Sequence, residues 1–156
     1  MQAFVSNHAN KVDKKGRVSV PASFRAALAA NSFFAYESLT DRAIDAIAAE
    51  NIEQMIEQRR TQLLQSGNFA RALIGGDKIV DTILGMVKEL AFDGEGRVVL
   101  PQSLADFAGI AEEAVFVGRG HRFQIWAPDE FRRAEQRDRE QLRASLRDGA
   151  PPEGSR

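Results

Sequence analysis

Lys14, Lys15 and Arg17 are the residues of this 156-residue chain whose types and spacing offer the plainest chemistry. Ammonium groups neutralise phosphates as point charges, and a guanidinium presents a planar fork of donors that fits a phosphate or a guanine edge. The three cations lie in Asp13-Lys14-Lys15-Gly16-Arg17-Val18-Ser19-Val20-Pro21. The pattern returns 80 residues later as Asp93-Gly94-Glu95-Gly96-Arg97-Val98-Val99-Leu100-Pro101. A motif of the form Asp-x-x-Gly-Arg-Val-x-(Val/Leu)-Pro repeated at a fixed offset marks a duplicated unit, and two copies are too few for a solenoid. Lys11 to Arg25 holds five bases (Lys11, Lys14, Lys15, Arg17, Arg25) against one acid, Asp13. Lys88 to Leu104 holds two bases, Lys88 and Arg97, against Glu89, Asp93 and Glu95. Taken alone, a Lys-Lys pair at a turn is better read as a solvated surface than as a site.

Other chemistries find little support. His8 and His121 stand alone in their segments, the chain has no cysteine, and neither metal-ligand spacing nor Gly-x-Ser-x-Gly occurs. Gly94-Glu95-Gly96 lacks the third glycine and long helix of a dinucleotide site. The chain therefore reads as a non-enzyme with no cofactor and no metal. The formal charge is −1, so attraction to a polyanion has to come from a local patch. Residues 1–6 carry neither the basic nor the apolar region of a signal peptide, no apolar run approaches a membrane span, and the lack of cysteine suits a reducing cytosol. The expected location is cytoplasmic.

The elements that must position the cations follow from the motif. Asp can accept backbone NH groups two residues on, Gly admits positive φ, and Arg-Val-x-Val/Leu resumes strand alternation. Pro ends that strand and suits the first turn of a helix. Asp13, Gly16, Asp93 and Gly96 are thus turn-formers, and each copy reads strand, turn, strand, Pro, short helix. Phe4–Val12 and Ile83–Phe92 are expected as the leading strands. After Pro21 a short helix sets Phe24 and Leu28 on one face; after Pro101 another turns Leu104 and Phe107 inward, with Gly109 as its cap. Strands are expected at 33–36, 43–47, 114–117 and 122–126. The 43–47 strand rests on setting Ile44 against Phe123 and Ile47 against Trp126, although helix propensity there is high. A helix starting near Glu50 carries Ile52, Met55, Ile56, Leu63 and Leu64 near a 3.6 period, a stripe for core or subunit interface. A further helical turn is expected at 69–74. The final helix, 128–147, has six Arg against five acids. Their alternating signs, as in Asp129/Arg133 and Glu135/Arg139, indicate a salt-bridged solvent helix rather than a nucleic-acid patch.

Asp13-x-x-Gly16-Arg17-Val18-x-Val20-Pro21-x-x-Phe24-Arg25, repeated from Asp93, resembles the MraZ family, with the similarity spanning most of residues 4–130. That resemblance implies bacterial transcription regulators of α+β, β-rich class. It implies two tandem β-α-β AbrB-like repeats interleaved into one swapped-hairpin barrel with peripheral helices. On this basis the chain divides into repeat 1 (5–54), a helical connector (55–82), repeat 2 (83–127), a C-terminal helix (128–147) and a disordered tail (148–156). The resemblance also implies ring-shaped homo-oligomers, nucleoid association, and binding to short tandem repeats in duplex DNA ahead of the cell-division and cell-wall gene cluster, including the protein's own promoter. With it, Lys14, Lys15, Arg17 and Lys11 become candidate DNA contacts, joined by Arg97 and Arg25. Ile52, Met55, Ile56 and Leu63 become the candidate oligomer interface. An antitoxin-like interaction module with autoregulatory DNA binding is the alternative. Two departures stand out: Ser6 occupies a position often glycine in the family, and the second turn, Gly94-Glu95, is not basic.

Overall fold

The computed structural model describes residues 3–67 and 78–149. The elements in order are β1 (Asn7–Lys11), β2 (Arg17–Ser19), α1 (Ala22–Leu28), β3 (Ser32–Glu37), β4 (Ile44–Ile47) and α2 (Ala49–Gln65). There follow α3 (Lys78–Met86), β5 (Lys88–Ala91), β6 (Arg97–Val99), α4 (Gln102–Ala108), β7 (Glu113–Gly118), β8 (Phe123–Trp126) and α5 (Pro128–Arg147).

The motif aspartates fold their own turns. Asp13 Oδ1 accepts the backbone NH of Lys15 at 2.9 Å and of Arg17 at 2.8 Å. Asp93 Oδ1 accepts those of Glu95 at 2.8 Å and Arg97 at 3.0 Å. Gly16 and Gly96 take φ of +81° and +75°, a region that side chains resist. Strand alternation then turns Val18 and Val98 inward, each 1% exposed. β2 and β6 pair antiparallel with Val18 opposite Val98.

The other six strands form one antiparallel sheet in the order β1-β7-β8-β4-β3-β5. Its pairings cross between the halves: β1 joins β7, β5 joins β3, and β4 joins β8. The fold is thus mixed α+β with a large antiparallel sheet. No closed barrel is found among the described residues. β1 and β5 remain sheet edges, and β2 and β6 bond to each other, with β2 meeting β1's continuation at the Val12–Val18 bridge.

The main core lies between the sheet's inner face, the β2–β6 ladder, α1 and α4. Phe24, Phe33, Phe116 and Phe123 are fully buried there, each worth about 1.5–3 kcal/mol of burial. Phe123 is the hub, with ring centroids 5.0 Å from Phe4, 5.1 Å from Phe24 and 5.2 Å from Phe33. On the outer face α5 covers Val115, Val117 and Trp126 through Phe131 and Ala134. α2 and α3 cover Tyr36 and Ile47 through Ile52, Met55 and Ile83.

Three expectations need correction. The segment ahead of the second motif is helical to Met86, leaving a strand of only Lys88–Ala91; Val80, Ile83 and Val87 recur at helical spacing and pack on the outer face. The first strand is shorter than Phe4–Val12, because Ser6 takes φ +69° and breaks the extended run. Asp129 pairs with Arg132 at 3.1 Å, and Arg133 turns to Glu130 at 2.7 Å, while Glu135–Arg139 forms as expected at 2.8 Å. The strand at 44–47 and the helices after Pro21, Pro101 and Pro128 are present. The expected turn at 69–74 and the tail from 150 lie outside the described residues. No helix among the described residues is long and apolar enough to cross a membrane.

Candidate nucleic-acid interface

The inward turn of Val18 and Val98 leaves the opposite face of the β2–β6 ladder to Arg17, Ser19, Arg97 and Val99. In register, Arg17 stands across from Val99, and Ser19 across from Arg97. The two turns cap opposite ends of this face. Leu100 NH donates to Gly16 O at 2.9 Å, and Val20 NH donates to Gly96 O at 3.2 Å. Lys14 and Lys15 are exposed at the tip of the first turn.

Each arginine is held by its aspartate through the nitrogen nearest the stem. Arg17 Nε donates to Asp13 Oδ2 at 2.6 Å, and Arg97 Nε donates to Asp93 Oδ2 at 2.9 Å. The backbone NH of Arg17 foremost, with its guanidinium and the Lys15 NH, holds the Asp13 carboxyl below the usual range against a desolvation penalty. The backbone NH of Arg97 foremost does the same for Asp93, and the Asp93 hydrogen bond raises Arg97. Both aspartates are therefore ionised at neutral pH. They differ beyond Nε. The terminal nitrogens of Arg17 have no protein partner among the described residues, whereas Arg97 Nη2 lies 3.6 Å from Glu95 Oε2. One fork is open and the other is partly occupied.

The remaining expected site residues separate. Arg25 leaves the first cluster: its Nε donates to Val20 O at 3.1 Å, and its guanidinium lies over Gly96 of the second turn. The equivalent position in the second half is Ala105, so nothing comparable covers Gly16. Lys11 is exposed on edge strand β1, opposite Glu113. Ile52 and Met55 pack inside their own chain, and Ile56 and Leu63 are half-buried. Sequence reasoning passed over Asn10, whose side chain donates to Ser19 O at 2.7 Å and ties β1 to the ladder. It also passed over Ser19 and Val99. Alternation outward from the motif arginines was the signal that could have found Ser19 and Val99.

Away from the ladder, a buried polar group sits mid-sheet. Gln124 Nε2 donates to Asp45 Oδ1 at 2.8 Å, while Gln124 Oε1 accepts from Trp126 Nε1 at 3.0 Å and Arg119 Nε at 2.9 Å. Burial raises the Asp45 carboxyl above its usual range and pushes the Tyr36 phenol up to about 12. No cluster of His, Cys, Asp and Glu among the described residues could hold a metal ion.

A family model described as "MraZ protein, putative antitoxin-like" matches residues 83–149. Curated proteins named "Transcriptional regulator MraZ" from Rickettsia peacockii (strain Rustic) and Rickettsia akari (strain Hartford) are 42% identical over 134 residues, covering 84% of this chain and 85% of theirs. The protein of that name from Rickettsia typhi (strain Wilmington) is 40% identical over the same span.

Proposed function

Because this chain belongs to the MraZ family, we propose that it is a sequence-specific DNA-binding transcription regulator that meets the duplex with the outward face of its β2–β6 ladder. The observation that carries this reading is the Asp13–Arg17 latch, which fixes the guanidinium while leaving its terminal nitrogens free. A two-stranded ribbon fits the major groove, and such a fork suits guanine O6 and N7. Lys14 and Lys15 supply phosphate contacts beside it, with Lys11 behind them. At the other end Arg97 and Arg25 face DNA beside Asp93 and Glu95, so that end contributes less.

The cross-half strand pairing is read as two exchanged hairpins of a duplicated unit. Duplication within the chain gives only one strongly basic end per subunit. Tight binding then calls for a homo-oligomer engaging tandem short repeats, spaced near one helical turn of roughly 10 bp, where linkage typically gains 10²–10⁴ in avidity. Ile56 and Leu63, half-buried in the subunit, are the proposed contact. The proposed targets are repeats ahead of the division and cell-wall genes, with its own promoter among them.

The test is a binding titration on the duplex just upstream of its own reading frame, with wild type, Arg17→Ala and Arg17→Lys, across salt concentrations. Loss of one bidentate base contact costs roughly 1–3 kcal/mol and relaxes specificity. Unaltered affinity and specificity in folded Arg17→Ala would remove the ladder face from the interface. The family description "putative antitoxin-like" favours a second reading, in which the same face serves autoregulation and a partner protein carries the main activity. Full specific binding by the purified chain alone favours the first.

A further inference from the structure

We propose that Val99 is a specificity-determining residue that recognises the 5-methyl group of a thymine beside the base pair engaged by Arg17. This rests on the DNA-binding reading above. Val99 is 55% exposed, while its neighbours Val98 and Leu100 are 1% and 4% exposed, so its side chain contributes little to the core. It stands across the ladder from Arg17, and directly opposed side chains start about 4.5–5.5 Å apart. Its Cγ1 lies 3.7 Å from where a Cβ on Gly16 would stand, which sets the methyls against the basic turn.

The groove chemistry matches that pair. Guanine offers two acceptors to a guanidinium fork, and the thymine methyl is the apolar feature of the major groove. Successive bases rise about 3.4 Å, so side chains rooted at Cβ atoms about 5 Å apart address the same step or nearby ones. The opposite end of the ladder cannot repeat the reading. The residue equivalent to Val99 is Ser19, whose hydroxyl suits any base, and Arg97 Nη2 is beside Glu95. The apolar contact and the open fork therefore fall together at one end, giving each subunit a polarity on the duplex.

The experiment selects duplexes from a randomised pool with the full wild-type chain. Each thymine of the enriched duplex is then replaced singly by deoxyuridine, which removes only the methyl. Wild type should lose about three- to fivefold affinity at one thymine, the scale of one buried methyl. Val99→Ala should bind the thymine and deoxyuridine duplexes alike; Val99→Ser lacks both methyls, matches Ser19 at the equivalent ladder position, and serves with the same expected result if the alanine variant unfolds. A merely structural role for Val99 would weaken both duplexes equally and retain the thymine preference. That result overturns the proposal, as does a wild type indifferent to every substitution. A pool that enriches no sequence would remove the DNA-binding reading itself, and Val99 with it.

Discussion

Gly96→Ala should cost more stability than Gly16→Ala, and Arg25 should account for the difference. Both glycines hold left-handed φ, +75° and +81°. An alanine there is strained by about 1–2 kcal/mol, offset by about 0.4–1 kcal/mol from a stiffer unfolded chain. At Gly16 the new Cβ meets Leu100 O at 3.3 Å, a contact a small shift relieves, so the net cost is about 1 kcal/mol. At Gly96 the new Cβ overlaps Arg25 Nη1 and stands 2.6 Å from Cζ. The guanidinium is the far end of a flexible side chain and can move, but moving forfeits its hydrogen bond to Val20 O. For an exposed arginine that bond is worth about 0.5–1 kcal/mol. Gly96→Ala should therefore cost about 1.5–2 kcal/mol, and only about 1 kcal/mol in an Arg25→Ala background. Urea unfolding at pH 7, followed by fluorescence of the single Trp126, measures all four corners of the cycle. Equal cost of Gly96→Ala with and without Arg25 would refute the placement of that guanidinium on the second turn.

Glu95→Gln should strengthen binding to the selected duplex about threefold at low salt, the scale of one unit charge about 7 Å away in water. The gain should shrink near 150 mM, where the Debye length is about 8 Å; a gain unchanged by salt would contradict an electrostatic cause. Asp45 has a folded-state pKa raised by burial, so its contribution favours the fold below the unfolded pKa and is lost as pH rises through the folded value. Asp45→Asn should therefore raise the urea midpoint more at pH 7 than at pH 3, and a larger gain at pH 3 would reverse the sign argued here. Ser6→Gly should stabilise by about 0.5 kcal/mol, because relief of left-handed strain exceeds the added unfolded-state entropy. A lower urea midpoint for that variant would show the strain to be offset by contacts of the Ser6 side chain.

Much of the local structure was legible because it is written in short spacing. Asp at the first motif position, Gly at the fourth and Pro at the ninth specify turn, strand and helix start through hydrogen bonds and φ preferences reaching only a few residues. The second motif repeated those instructions, and the alignment of Ile44 with Phe123 correctly outweighed helix propensity at 44–47. Periodicity was weaker at 78–92, where closely spaced apolar residues satisfy a strand or a helix, and packing against Tyr36 and Ile47 decided for helix up to Met86. The family resemblance suggested a barrel; strand pairing instead left an open sheet and a separate ladder.

The sequence by itself determined which residues are cations, where the turns fall and which strand face carries Arg17 and Arg97. Tertiary structure alone decided that the two ladder strands pair with each other, setting Val99 across from Arg17 and Ser19 across from Arg97. It also sent Arg25 to the far turn and left Ile52 and Met55 facing their own sheet. The physical reason is that periodicity states which face of an element is apolar, whereas the partner across that face depends on contacts tens of residues away in the chain. Arg25 and Gly96, 71 positions apart, meet only because β2 and β6 lie antiparallel and bring each turn to the other strand's proline.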